Sequence, residues 1–193
     1  MTLFEYLAVA VSIVLSFGAV RLLDGLPYAL SREHRYWPHT IWMINLLWLH
    51  IQFWWVFWSY SRVTSWSYAQ FLLAVAGPGL LYSLANTGLS SSPSAVTSWE
   101  AHFYGIRQRF FLLFACLYFV LGLSGWLILE VPFFDPLRIV QASVIVVSLV
   151  GARWATPAVH WVLAPLFTVY LFAVTAAIAL GNPTIFGGIR TPS

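Results

Sequence analysis

Six apolar runs divide this chain from one end to the other, at about residues 3 to 23, 38 to 59, 68 to 87, 103 to 129, 137 to 153 and 157 to 180. Each is close to the ~20 residues that an α-helix needs to cross the hydrocarbon of a bilayer. Composition agrees: the chain is 61% hydrophobic and only 8% charged, where a soluble domain carries roughly 25% charged residues. The expected fold is an all-α integral membrane protein, a bundle of six transmembrane helices forming a single domain over residues 1–193, with the lipid bilayer as its first partner.

The segment 87–99, TGLSSSPSAVTSW, is the most linker-like stretch and separates the helices three from three. Halves of three helices lie in opposite orientations, the arrangement from which inverted-repeat transporters are built. Gly77, Pro78 and Gly79 stand in the third helix and Pro165 in the sixth. Each proline frees a carbonyl four residues earlier, those of Ala74 and Trp161. Interrupted helices at matching places would mark a midplane site near Pro78. The plainer reading is that prolines merely kink membrane helices.

Charge asymmetry gives an orientation. Under the six-helix assignment Arg21, Arg32, Arg35, Arg107, Arg109 and Arg153 fall on one side, and Arg62, Arg138 and Arg190 on the other. Arginine gathers in cytoplasmic loops, so both termini are expected outside, in a bacterial inner membrane or its equivalent. The arginines are scattered singly, which excludes a nucleic-acid patch. The chain has no lysine, which excludes a retinal Schiff base, a pyridoxal-phosphate lysine and a P-loop. Cys116 is the only cysteine, so no intrachain disulfide forms, and mid-helix it reads as a small buried hydrophobe.

The second run, HTIWMINLLWLHIQFWWVFW, is polar on two sides. At ~100° per residue, His39 and His50 fall within about 20° of one another, while Asn45, Trp48, Gln52 and Trp55 form a stripe roughly opposite. His50 lies about 16 Å deeper than His39, near the midplane. Unpaired polar groups in hydrocarbon are costly, so these faces are expected to be buried against other helices. Glu5, Ser12 and Ser16 share a face of the first helix, Gln141 and Ser148 one of the fifth, and Thr168 and Thr175 one of the sixth. The functional expectation is that Glu5, His50, Asn45, Gln52, Gln141 and Thr168 line a path or pocket with His50 titrating at its centre. The alternative is that they satisfy one another as interhelical bonds of ~0.6 kcal/mol each. Trp54, Trp55, Trp58 and Trp66 are assigned to one interfacial belt and Trp37, Trp42, Trp99, Trp154 and Trp161 to the other, with Trp48 and Trp126 deeper.

Gly122, Leu123, Ser124 and Gly125 spell GLSG in the fourth helix, and His160 stands in the sixth. This resembles rhomboid intramembrane proteases, which have six core helices, a GxSG serine in the fourth and a histidine in the sixth. Counting rise per residue puts Ser124 and His160 roughly 20 Å apart in depth, whereas a nucleophile and its base need about 3 Å. The expectation leans against an enzyme. His39, His102 and His160 all stand at the starts of even-numbered helices, hence at one end, and are the candidate ligands for haem or a metal; the plainer reading is interfacial histidines bonded to water.

The leading functional expectation is a transporter or channel for a proton, ion or small solute, built as a homo-oligomer where a pore is needed and using no cofactor. A structural or partner-binding subunit of a membrane complex is the alternative, and a haem- or quinone-binding redox protein the third.

Overall fold

The computed structural model describes residues 2–180, and Arg190 lies outside them. Six α-helices follow one another: α1 (Leu3–Ala29), α2 (Trp37–Phe57), α3 (Tyr68–Gly88), α4 (Trp99–Leu127), α5 (Pro136–Arg153) and α6 (Pro157–Ala179). All six are long and apolar enough to span a membrane. Short 3-10 turns at Trp58–Arg62 and Pro93–Ala95 join α2 to α3 and α3 to α4.

The helix starts follow local chemistry. Thr2 and Ser67 close capping boxes with Glu5 and Gln70, and Ser98 and Asp135 accept from the backbone amides of Ala101 and Leu137. Proline occupies the first turn of α2, α5 and α6, where its missing N–H has no intrahelical partner to lose. Two boundaries differ from expectation. The Ser98 cap starts α4 at Trp99 rather than 103, and α1 runs on to Ala29 through Pro27 because Thr40 and Trp99 accept the duty of bonding its last carbonyls, at 2.9 Å to Ala29 O and Tyr28 O. Helices α3 and α6 continue without a break through Pro78 and Pro165, so neither is interrupted.

Helix α1 packs against α2 and α3, α3 against α4, α4 against α5, and α6 chiefly against α2. The two halves pair their helices differently. Backbones of α1 and α3 approach closely, whereas α4 and α6 meet through side chains, Phe114 and Tyr118 lying edge-on to Phe167. Trp42 is the centre of that layer, with ring centroids 5.2 Å from Phe111, 5.3 Å from Phe114 and 5.1 Å from Phe167. Trp42 and Trp99 therefore belong to the core rather than to an interfacial belt, and Trp126, expected deeper, is exposed. Cys116 is also exposed, on the outer face of α4.

Candidate functional site

The polar residues of the spans are distributed among separate interfaces. Glu5 sits exposed at the start of α1, where its carboxylate accepts from Thr2 N at 2.8 Å. Ser16 donates to Ser12 O of its own helix, at 2.7 Å, rather than across to a neighbour. His50 bonds Leu46 O through Nδ1 at 2.7 Å; a carbonyl only accepts, so Nδ1 carries the proton in the neutral ring and Nε2 keeps a lone pair. That Nε2 is buried without a partner and lies over Gly18 of α1, where an added Cβ would collide with it. Asn45 and Thr168 do meet. Thr168 Oγ1 donates to Asn45 Oδ1 at 3.1 Å, and Asn45 Nδ2 to Ala164 O at 3.4 Å, joining α2 to α6. One turn deeper, Trp48 Nε1 donates to Thr175 Oγ1 at 3.1 Å. Gln52 is half-buried, its Nε2 without a partner. Gln141 lies between α4 and α5, where it accepts from Arg138 at 3.0 Å. Of the expected path, Asn45 and Thr168 share a bond, whereas His50 faces α1, Gln141 faces α4, and Pro78 is buried in α3.

The histidines have a common partner type that sequence reading missed. His39 and His102 both donate from Nε2 to Gly88 O, at 2.8 Å and 3.1 Å, and His160 donates from Nε2 to Trp154 O at 2.9 Å. Gly88 ends α3 and Trp154 is the cap residue of α5. Arginines do the same. Arg21 donates to Leu89 O and Ser90 O beyond α3, Arg107 to Gly151 O at 2.8 Å and Ala152 O at the end of α5, and Arg138 to Gly122 O in the last turns of α4. The last carbonyls of a helix have no intrahelical donor and carry the negative end of its dipole. Cationic and N–H-bearing side chains from adjacent helices satisfy them here.

This arrangement fits a haem poorly. The Nε2 atoms of His39 and His102 converge as N–H donors on one oxygen, and His39 is stacked on Trp99 with centroids 4.8 Å apart; ligation would need those nitrogens as lone-pair donors with a macrocycle in the space the indole fills. Among the described residues no group of three or more His, Cys, Asp or Glu is placed to hold a metal ion. The GLSG segment is likewise structural. Ser124 hydrogen-bonds the Tyr60 hydroxyl, while at Gly122 and Gly125 an added Cβ would come within 3.7 Å and 3.3 Å of the Arg138 guanidinium. Gly125 makes room for the Arg138 guanidinium against α4, and Gly122 for the Gln141 amide, whose Oε1 an added Cβ would meet at 3.3 Å. His160 stands at the other end of the bundle, bonded to Trp154.

Between α4 and α5 lies an apolar groove of about 580 Å³, within the ~300–1,000 Å³ usual for small-molecule sites. Tyr118, Phe119, Ala142 and Ile145 line its length towards the middle of α4 and α5; Trp126, Phe134, Asp135 and Arg138 line its mouth, at the end of α4 and the start of α5. In the turn between α4 and α5 Glu130 stands at φ 55°, in the left-handed region, which reverses the chain after α4. Arg138 Nη2 donates to Val131 O of that turn at 3.1 Å. Gly122 and Gln141 also border the groove.

Fold and site together define an all-helical protein with six helices long and apolar enough to span a membrane and an apolar groove between α4 and α5. Compared with protein families, with curated proteins and with solved structures, the chain matches none.

Proposed function

We propose that this membrane protein binds an amphiphile that enters laterally from the bilayer into the groove between α4 and α5. The observation that carries the reading is the polarity gradient of the groove. Its two charged residues, Asp135 and Arg138, stand at the start of α5. The rest of its lining is apolar but for Gln141 and the polar edges of Tyr118 and Trp126, and Asp135 and Ile145 are separated by about 15 Å of helix rise. A molecule with a polar head at the interface and a tail directed inwards matches that gradient. The residues expected to form a polar path are instead divided among several interfaces, Asn45 and Thr168 between α2 and α6, His50 against α1 and Gln141 between α4 and α5, which weakens the case for a channel through the bundle. The reading draws nothing from inverted symmetry of the halves.

The test is photolabelling of the purified protein with a phospholipid bearing a diazirine in its acyl chain. Labelling should concentrate on residues of the groove and fall when Ala142→Trp fills it. Labelling spread evenly over all lipid-facing helices, and indifferent to Ala142→Trp, would reject the reading.

A second reading keeps His50 as a proton carrier, because its Nε2 is a buried lone pair without a partner. Proton flux into liposomes under a potassium diffusion potential should then be lost in His50→Ala. A partner-binding subunit remains the alternative to both, and co-purification of a second membrane protein with the intact chain would favour it. We take the membrane to be a bacterial inner membrane with both termini outside, on the grounds that Arg21, Arg32, Arg35, Arg107, Arg109 and Arg153 lie towards one end. Reporter fusions at Ser193 that are active only in the cytoplasm would reverse that orientation.

A further inference from the structure

Two opposite charges line the mouth of the α4/α5 groove near enough to attract one another, yet no salt bridge joins them. Arg138 gives its hydrogen bonds to neutral oxygens: Gly122 O, Val131 O at 3.1 Å and Gln141 Oε1 at 3.0 Å. Its Nε is left without a partner. Asp135 uses Oδ1 to accept from Leu137 N at 2.8 Å, as the cap of α5. The two residues are three apart at the start of one helix, so they share a face, and both border the same apolar space. A guanidinium and a carboxylate at the edge of a low-dielectric groove would ordinarily be expected to pair.

We infer that the groove takes a zwitterionic glycerophospholipid of the surrounding bilayer, with its phosphate at Arg138, its ammonium at Asp135 and one acyl chain between α4 and α5. This rests on the groove being an amphiphile site. Charge complementarity selects the head. An anionic lipid at Arg138 would bring its charge beside the Asp135 carboxylate, and a cationic one at Asp135 would face Arg138; like charges set against each other at a binding site are a strong term against the wrong partner. A zwitterion answers both. The exposed rings of Trp126, Phe133 and Phe134 stand around the mouth, and aromatic faces attract ammonium groups. The bilayer is the source because the groove opens between residues exposed on the lipid-facing side, Phe119, Ile139 and Ala142. Basic pockets between membrane helices are a recurrent means of holding a phospholipid head; the acidic neighbour is what makes this one discriminate.

The experiment is native mass spectrometry of the purified full chain offered equal amounts of phosphatidylethanolamine and phosphatidylglycerol with matched acyl chains. Wild type should retain phosphatidylethanolamine several-fold over phosphatidylglycerol. Asp135→Asn keeps an N-cap side chain of nearly equal quality but removes the charge, and should bring the preference close to unity. Ala142→Trp should remove retention of both lipids. Equal retention or a preference for phosphatidylglycerol in wild type, abolished by Ala142→Trp, overturns the zwitterion assignment and leaves the amphiphile reading standing. Retention no greater in wild type than in Ala142→Trp overturns both. Arg138→Gln is a poorer probe because it also uncaps α4, so the charge test is carried by Asp135→Asn.

Discussion

His50 shows what a single buried polar side chain does in this bundle. Its ring satisfies one nitrogen on the carbonyl of Leu46 and inserts the other edge into the space that Gly18 leaves on α1. Gly18→Ala would drive a methyl into the imidazole, and overpacking of this kind typically destabilises by ~1–3 kcal/mol. Truncating the ring should relieve part of that penalty. In a double-mutant cycle of Gly18→Ala with His50→Ala, read from thermal unfolding in detergent, the double variant should lie closer to wild type than the sum of the singles by about 0.5 kcal/mol or more. Strict additivity would mean that the two residues do not form a knob and notch. The burial of His50 was legible in the sequence, because an ionisable group on an apolar span is costly to leave facing hydrocarbon. Its neighbour was not. Helix α2 is apolar around most of its circumference, and in lipid an apolar side chain faces outwards as readily as inwards, so the pattern does not say which face meets which helix.

Among the elements, the recurrent device is a side chain from one helix bonding the terminal carbonyls of another. The sequence put His39, His102 and His160 at one end of the bundle and offered haem or metal ligation, or interfacial water, as their partners. Antiparallel packing supplies others: where even-numbered helices begin, odd-numbered ones finish, and a histidine in the first turns of α2, α4 or α6 stands beside the open carbonyls of α3 or α5. Arg21 and Arg107, which the sequence placed on one side of the bundle, serve the same ends. This predicts local fraying rather than global collapse when one donor is removed. Arg21→Met or His39→Phe should raise hydrogen–deuterium exchange in the last turn of α3 and the residues just after it, the loss of a buried bond being worth roughly 1–3 kcal/mol. Exchange there should change little in His160→Phe, which serves α5. Equal protection of that turn in all three variants would show that water, not these side chains, satisfies the carbonyls.

For the molecule as a whole, the question is whether α6 is held by its polar bonds or by rings. The polar candidates are Asn45 to Thr168 and Trp48 to Thr175, both between α2 and α6. The packing candidate is Trp42, buried to 1% exposure between α2, α4 and α6, with four aromatic neighbours at centroid distances up to 5.9 Å. Interhelical hydrogen bonds in bilayers average only ~0.6 kcal/mol, because separated helices find other polar partners. Aromatic pairs contribute about 0.5–1.5 kcal/mol each beyond the surface they cover, and removing a large buried ring also leaves a cavity, for a total of ~3–5 kcal/mol in soluble cores. Packing therefore wins by several-fold. Thr168→Val should lower the unfolding midpoint slightly, whereas Trp42→Ala should lower it severely and Trp42→Phe should recover much of the loss. The six-helix layout was legible because each span is long, apolar and bounded by caps and prolines. This dominance of Trp42 was not, since the sequence assigns a tryptophan near a helix start to the membrane interface. If Thr168→Val proved as damaging as Trp42→Ala, the polar pair would be the fastening of α6 and the aromatic layer only its filling. The same measurement would then restore Asn45 and Thr168 as the residues around which any path through the bundle must be sought.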